Sequence, residues 1–199
     1  MGATHTENLS RLAAEHGCDV AVSLDGDADR LIMADAEGHV YNGDELLYVI
    51  VRDRMLQGPV AGVVGTLMTN YALERRFGEL GVSFVRAKVG DRYVLEAMRE
   101  GGYVIGGERS GHTIFLEHNS TGDGLMTACQ FLAAVIRSGK PVAEAIQVME
   151  KMPQTLINVR VNDKHAVEDS AEVAAAVASA EEALGEDGRV LLRPSGTEP

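Results

Sequence analysis

The sequence predicts an α/β protein, in which layered α/β/α domains with mixed sheets are followed by part of a smaller α+β domain. Three observations support this prediction. Short runs rich in Val, Ile and Leu alternate with longer amphipathic stretches, glycines separate the two kinds of segment, and the alternation ends near Pro153. Regular alternation of strands and helices favours layered sheets that are at least partly parallel.

The composition excludes several classes of protein. The 199 residues are 45% apolar and 24% charged, and the formal net charge is −12. An acidic chain without a cluster of Lys and Arg is poorly suited to nucleic acid or to an anionic membrane. Two distant cysteines form no disulfide framework, and no apolar run approaches the roughly 18 residues of a membrane span. We therefore expect a cytoplasmic chain with neither nucleic-acid nor membrane partners.

The first segment, residues 1–41, contains too few elements for a complete domain. A helix ends at Gly17, a buried strand covers residues 19–24, and a second strand at 31–35 turns into a short one at 39–41. Two strands and a hairpin do not enclose a core. We expect this segment to be the C-terminal part of an α/β domain.

The second segment, residues 42–152, has the alternation expected of a complete α/β domain. Its apolar stripes at helical spacing and its short apolar runs are bounded by glycines or polar turn residues. We predict helices at 43–57, 71–80, 92–100 and 123–137, a shorter helix ending near 152, and strands at 60–64, 82–87, 103–106 and 113–117.

The third segment, residues 153–199, changes in character after Pro153. A long strand is predicted at 154–161, an alanine-rich acidic helix at 167–184 and a strand at 189–193. So short a segment is too small to complete a core alone. We expect it to be an incomplete α+β domain and the chain to be truncated at both ends.

Three carboxylates follow the first buried strand at alternate positions, Asp25, Asp27 and Asp29. In an extended segment all three would point to one side. Two like charges about 4 Å apart repel by roughly 4 kcal/mol at an effective dielectric of 20, so the group needs a cation or shifted pKa values. Ligation by few protein oxygens suits Mg²⁺, and the adjacent Arg30 could help to hold a phosphate on the metal.

The residues of this loop allow other interpretations. A solvated acidic turn is the simplest, because Asp and Gly favour turns. A calcium-binding EF-hand loop fails, since Arg30 and Ala36 stand where Gly and Glu are needed. A haloacid-dehalogenase-type phosphatase with Asp25 as nucleophile remains open, although Asp29 and Thr127 depart from its pattern.

A glycine-rich stretch at residues 106–113 is a second candidate site. It is similar to a nucleotide P-loop, but a predicted strand follows it where a helix is required. Glu108, Ser110 and His112 stand at alternate positions and could hydrogen-bond sugar hydroxyls, and His112 could move a proton. The alternative is a hairpin turn with incidental polar residues.

Two further features could bind phosphate. Lys88 and Arg92 flank a strand-to-helix turn, although surface charges are the simpler interpretation. Near the end of the chain, Arg193 is followed by two hydroxyls and a glycine in Pro-Ser-Gly-Thr. A guanidinium with hydroxyl and backbone N–H donors forms a phosphate cradle, and a frayed terminus is the alternative.

Taken together, these loops resemble those of the α-D-phosphohexomutases. Asp25–Arg30 is similar to that family's metal-binding loop, Gly107–His112 to its sugar-recognition loop and Arg193–Pro199 to its phosphate-binding loop. Their order and spacing agree along essentially the whole chain. Three further stretches resemble the bacterial branch that acts on glucosamine phosphates, namely Gly65–Asn70, Ala87–Val94 and Ser120–Gly124.

This resemblance implies an isomerase that interconverts glucosamine 6-phosphate and glucosamine 1-phosphate, on the route to UDP-N-acetylglucosamine and peptidoglycan. A phosphoserine would give its phosphoryl group to the sugar, and a bisphosphate intermediate would return the other phosphate. The implied roles are Mg²⁺ binding by Asp25, Asp27 and Asp29, support of the reacting phosphate by Arg30 and Lys88, sugar binding by Glu108, Ser110 and His112, and binding of the second phosphate by Arg193, Ser195, Gly196 and Thr197.

The chain also departs from the family's pattern. It contains no Ser-His-Asn-Pro segment, so the resemblance implies that the phosphoserine lies outside it. Arg109 stands where the glucosamine-phosphate branch usually has Gln or Asn. Glucose or mannose phosphates are therefore alternative substrates, and an inactive fragment that binds Mg²⁺ or phosphosugar is a third possibility.

Overall fold

The computed structural model describes residues 6–146, 149–163, 167 and 169–193. It divides into two compact units, Met1–Met152 and Pro153–Pro199, which are described separately below. The further boundary predicted near residue 42 lies inside the first unit and stays a prediction. Among the described residues, no helix is long and apolar enough to cross a membrane.

The first unit begins with a helix on a small antiparallel sheet. Helix α1 (Glu7–His16) ends at Gly17, whose φ of 57° is left-handed. Strands β1 (Val20–Leu24), β2 (Leu31–Asp35) and β3 (Val40–Tyr41) follow in the order β1-β2-β3, so that β1 is an outer strand. The last pair in the β1–β2 ladder is Leu24 with Leu31, which fixes both ends of the Asp25–Arg30 loop.

A second, mixed sheet carries the rest of the unit. Its order is β5-β4-β6-β7; β4 is parallel to β5 and β6, and β7 is antiparallel to β6. The fold class predicted from the sequence is confirmed. The strands are β4 (Gly62–Thr66), β5 (Ser83–Ala87), β6 (Ile105–Gly107) and β7 (Thr113–Phe115), and the helices are α2 (Gly43–Gln57), α3 (Tyr71–Glu79), α4 (Asp91–Gly101), α5 (Gly124–Ser138) and α6 (Val142–Ile146).

One core joins the two sheets. Leu31 and Met33 of β2 pack in the same buried cluster as Phe115 of β7 and Phe131 of α5. Helix α2 lies at the centre of this cluster, and ten of its fifteen residues are buried. Because the core is continuous, the loop between β1 and β2 is held against the second sheet and does not belong to a separate layer.

In the described part of the second unit, the long helix is α7 (Ala171–Leu184), and the 3₁₀ turn Gly185–Asp187 follows it. The Ser170 side chain accepts a hydrogen bond from the Val173 N–H at 3.3 Å and caps the helix. This helix starts at Ala171, and residue 167, where the predicted helix begins, is itself helical. The strands predicted at 154–161 and 189–193 are wrong, because neither segment pairs with a strand in the described part of the unit. Ile157 and Val159 are accordingly 75% and 73% exposed.

Candidate functional site

The β1–β2 loop brings its three carboxylates together by a turn. The Ala28 N–H donates to the Asp25 carbonyl at 3.2 Å, and Ala28 has a left-handed φ of 60°. One ligand oxygen from each of Asp25, Asp27 and Asp29 lies within 4.8 Å of the others. The segment is therefore not extended as expected, yet the carboxylates still converge on one point.

Arg30 offsets only part of this negative charge. Its backbone N–H donates to Asp25 Oδ1 at 3.1 Å, and its Nε lies 3.5 Å from Asp25 Oδ2 and 3.8 Å from Asp29 Oδ1. The Asp29 Oδ1 atom is buried and has no hydrogen-bond partner. Three carboxylates beside one half-exposed guanidinium leave the cluster with a net negative charge.

These residues fit a hard divalent cation. A buried acceptor without a donor is costly unless a ligand supplies the missing interaction. An ion among the three carboxylates would both satisfy Asp29 Oδ1 and remove the repulsion between like charges. Oxygen-only ligation by a few carboxylates is the donor set that Mg²⁺ prefers.

His112 lies behind the carboxylates. Its Nδ1 is 2.8 Å from Asp29 Oδ2, and its Nε2 accepts a hydrogen bond from the Gly122 N–H at 3.1 Å. The ring is only 2% exposed. The spacing within the glycine-rich loop predicts that His112 contacts a sugar and moves a proton. This geometry does not favour either role, because both ring nitrogens are occupied by the protein itself.

The glycine-rich loop is a tight turn that is attached to two neighbouring elements. The Gly111 N–H donates to the Glu108 carbonyl at 2.9 Å, and Gly111 has a φ of 96°. The Leu31 N–H donates to the Gly111 carbonyl, and the Gly43 N–H donates to the Arg109 carbonyl, each at 3.1 Å. A side chain at Gly111 would collide with the Leu31 backbone, so the close contact requires glycine.

The three polar side chains of this loop therefore do not share one face as expected. Ser110 is exposed, Glu108 is half-buried and His112 is buried. Alternation applies to extended segments, and the turn at Gly111 breaks it. Ser110 and Glu108 remain available to a ligand, whereas His112 points inward.

A neighbouring turn contacts the loop through Glu108. The Glu108 Oε1 atom accepts a hydrogen bond from the Gly90 N–H at 3.0 Å. The exposed Lys88 Nζ lies 5.8 Å from the centre of the Tyr93 ring. Arg92 forms an exposed ion pair with Glu96 at 3.0 Å, which supports the simpler interpretation of it as a surface charge.

The predicted phosphate cradle is described only at its first residue. Arg193 is exposed in the second unit. Ser195, Gly196 and Thr197 lie outside the described residues, so their proposed role stays a prediction.

One buried acid near the site was not singled out from the sequence. Asp44, in the first turn of α2, is 1% exposed and accepts a hydrogen bond from the Asn70 N–H at 2.9 Å. Burial raises the pKa of Asp44 to about 6, although the Asn70 N–H and the positive charges of Arg109 and Arg86 oppose the rise. The sequence indicated only that Asp44 lies at the start of a helix. Its burial depends on Asn70, which comes from a distant turn.

Comparisons with known proteins show the family of this chain. Residues 42–152 match the α/β/α domain III of the phosphoglucomutase/phosphomannomutase family, and residues 156–199 match the C-terminal domain of the same family. Because the first match covers more than half of the chain, the chain belongs to the phosphoglucomutase/phosphomannomutase family. This result confirms the resemblance found from the sequence and replaces the phosphatase alternative.

Several relatives are phosphoglucosamine mutases. The one from Janthinobacterium sp. (strain Marseille) is 52% identical over 198 residues, and the one from Herminiimonas arsenicoxydans is 50% identical over 199 residues. Each alignment covers 100% of this chain and 44% of the relative. The chain thus spans less than half the length of the curated relatives it matches.

Solved structures support the same family. A phosphoglucomutase/phosphomannomutase family protein from Burkholderia thailandensis has a TM-score of 0.67 at 26% identity, over 77% of this chain and 34% of that one. The N-acetylphosphoglucosamine mutase of Aspergillus fumigatus, solved with GlcNAc-6P and magnesium, has a TM-score of 0.73 at 20% identity, over 90% of this chain and 47% of that one. The second likeness bears on the fold alone.

Proposed function

We propose that this chain is the portion of a phosphoglucosamine mutase that carries its metal loop, its sugar-recognition loop and the start of its phosphate-binding loop. The whole enzyme would interconvert glucosamine 6-phosphate and glucosamine 1-phosphate, through a phosphoserine and a bisphosphate, for UDP-N-acetylglucosamine and peptidoglycan precursors. The observation that carries the proposal is 50–52% identity to phosphoglucosamine mutases along the entire chain. Because the substrate is a phosphorylated sugar of central metabolism, we place the reaction in the cytoplasm.

The proposed metal is Mg²⁺, held by Asp25, Asp27 and Asp29. When bound, it supplies positive charge that stabilises the phosphoryl group in transfer. The protein's own contribution is electrostatic as well. Arg30 lies 3.5 Å from Asp25 and can turn its half-exposed guanidinium to a phosphoryl oxygen, and the exposed ammonium of Lys88 can do the same.

Recognition of the sugar and of its second phosphate falls to other side chains. Glu108 is oriented by the Gly90 N–H and keeps its second oxygen for a sugar hydroxyl, and the hydroxyl of Ser110 is exposed beside it. Arg193, Ser195, Gly196 and Thr197 are proposed to bind the phosphate that does not react.

The 199-residue chain alone is expected to give no turnover, because its sequence contains no Ser-His-Asn-Pro segment to supply the phosphoserine. The test therefore uses a chimera in which this chain replaces the matching segment of the Janthinobacterium relative. The chimera is assayed with Mg²⁺ on glucosamine 6-phosphate, glucose 6-phosphate and mannose 6-phosphate. We expect a clear preference for the amino sugar and loss of turnover in Asp25→Asn, with the exposed Asp19→Asn as the matched control.

Each other result has a definite meaning. A preference for glucose or mannose phosphate would reassign the substrate within the family, and Arg109→Gln would then be the first variant to examine. Release of inorganic phosphate without isomerisation would contradict the mutase reaction. Turnover by the 199-residue chain alone would contradict the proposed need for a serine outside it.

A further inference from the structure

We propose that His112 is a positioning residue of the metal site: it fixes the orientation of the Asp29 carboxylate and is itself fixed by the backbone N–H of Gly122. This inference rests on the metal site proposed above. It assigns to His112 a role different from sugar binding or proton transfer to a substrate. This role follows from the hydrogen bonds of both ring nitrogens.

The tautomer of His112 follows from its partners. The Gly122 backbone can only donate, so Nε2, which lies 3.1 Å from that nitrogen, must be an acceptor without a proton. A neutral imidazole then carries its proton on Nδ1, and Nδ1 donates to Asp29 Oδ2 at 2.8 Å. The ring is 2% exposed, so water does not compete for either nitrogen.

The hydrogen bond to His112 gives the two oxygens of the Asp29 carboxylate different roles. Oδ2 takes the imidazole N–H, which fixes the rotation of the carboxylate plane. Oδ1 is then the oxygen that is buried without a hydrogen-bond partner in the cluster with Asp25 and Asp27. Hydrogen-bonded partners of this kind orient metal-binding side chains and raise their affinity.

The backbone of Gly122 packs closely against the imidazole ring of His112 and restricts its position. A Cβ at this position would collide with three atoms of the His112 imidazole, so only glycine lets the backbone N–H approach Nε2. Two residues later, the Gly124 N–H donates to the Ala28 carbonyl inside the metal loop at 2.9 Å. The turn before α5 therefore holds the metal loop both directly and through the imidazole.

The same imidazole links the metal loop to the glycine-rich loop. His112 belongs to that loop, and the Glu108 N–H donates to the His112 carbonyl at 2.8 Å. Arg30 and His112 also form an isolated antiparallel bridge. A displacement of the glycine-rich loop would therefore move the hydrogen bond that orients Asp29.

The alternative role, proton transfer to a substrate, needs a ring nitrogen that a ligand can reach. Neither nitrogen of His112 meets that condition in this structure. The two roles also differ in what a substitution should do. A proton-transfer residue affects turnover but not metal binding, whereas a positioning residue affects metal binding even where there is no turnover.

The test uses the 199-residue chain and Mn²⁺ as the probe, because free Mn²⁺ is counted by electron paramagnetic resonance. We expect His112→Ala to weaken Mn²⁺ binding by about 10-fold to 100-fold. His112→Asn keeps an N–H donor near the position of Nδ1 and should retain most of the affinity. Gly122→Ala should behave like His112→Ala, and His118→Ala, which removes an exposed imidazole six residues further on, is the matched control.

A second measurement reads the tautomer without any metal. Nitrogen-15 NMR of labelled histidine should show the His112 proton on Nδ1 and an unprotonated Nε2. A neutral ring with its proton on Nε2 would overturn the proposal. This reading does not depend on whether His112→Ala folds.

The outcomes separate this inference from the metal site itself. If wild type binds Mn²⁺ and Asp29→Asn weakens it while His112→Ala does not, the positioning role is overturned and the metal site stands. If wild type and Asp29→Asn bind Mn²⁺ equally, or neither binds it, the metal site is overturned and the role of His112 with it. Loss in His112→Ala together with rescue in His112→Asn supports the proposal.

Discussion

Asn70 and Met152 exchange two hydrogen bonds across 82 positions of sequence. The Asn70 Nδ2 donates to the Met152 carbonyl at 2.9 Å, and the Met152 N–H donates to Asn70 Oδ1 at 3.1 Å. The same Oδ1 accepts the Ala72 N–H at 3.0 Å and so caps helix α3. One side-chain amide thus fixes both the start of a helix and the last residue of the first unit.

Replacement of Asn70 by alanine should destabilise the first unit. The variant loses the cap and both bonds to Met152, and loss of a cap alone costs about 0.5–2 kcal/mol. Asn70→Asp keeps the acceptor but loses the Nδ2 donor, so we expect an intermediate loss. Urea denaturation gives the free energies of unfolding, with Asn119→Ala as control, because Asn119 Oδ1 accepts a hydrogen bond from the N–H of the adjacent Ser120. Equal stability of Asn70→Ala and wild type would contradict this account.

Replacement of two glycines by alanine should change the stability of the chain in opposite directions. A Cβ at Gly124 would press on Leu24 and on the carbonyls of Ala28 and Arg30, so Gly124→Ala should destabilise the chain and weaken metal binding. Gly78 lies in helix α3 with open space around it, and Gly78→Ala should stabilise the chain by about 0.5–1 kcal/mol. Thermal and urea unfolding of both variants test the pair. A gain in stability in Gly124→Ala would be inconsistent with the packing described here.

The buried acid Asp44 predicts a pH dependence with a defined sign. Because its pKa is raised to about 6, the folded state binds a proton more tightly than the unfolded state does. The charged form therefore costs stability above pH 6, and that cost is relieved as the pH falls from 7 towards 4. Relative to Asp44→Asn, wild type should gain on the order of 2–3 kcal/mol of unfolding free energy over this range.

Urea denaturation of wild type and Asp44→Asn at several pH values provides the measurement. Asp53→Asn is an unsuitable control, because Asp53 is paired with Arg137. The exposed Asp19→Asn is preferable. A difference between wild type and Asp44→Asn that does not vary with pH would contradict the raised pKa.

The carboxylate cluster predicts that the effect of Asp27→Asn on stability changes sign when a divalent ion is bound. Without a divalent ion, the substitution removes repulsion between like charges and should raise the melting temperature. With Mg²⁺ in excess, wild type should gain about 2.7 kcal/mol at a concentration of 100 times Kd, and the variant should gain less. Thermal unfolding with Mg²⁺ and with a chelator tests both parts, and an equal response to Mg²⁺ would argue against Asp27 as a ligand.

Local patterns explain how much of the fold could be predicted. Strand β4 is buried at all five of its positions, so it reads as an apolar run that is bounded by turns. By contrast, residues 154–161 alternate like a strand but pair with none among the described residues. A sequence period shows that a segment could be a strand, and backbone pairing with a partner decides whether it is one.

The same distinction applies to the site. Asp25, Asp27 and Asp29 share one short loop, and their convergence could be inferred from spacing. The contact of His112 with Asp29 joins residues 83 positions apart and depends on how β2, β7 and the turn before α5 come together. Spacing within the glycine-rich loop suggested that His112 faces a ligand, and the alternative of a hairpin turn did not indicate on which side of the turn His112 would lie.

Strand β1 has a practical consequence for work with this chain. It pairs with β2 on one side, and on its other side no strand pairs with it in the described part of the chain. Val22, in its middle, is 49% exposed. A bare strand edge that carries an aliphatic side chain is a template for intermolecular pairing. We therefore expect solutions of the purified chain to self-associate as the concentration rises, and a lysine at position 22 to keep them monodisperse.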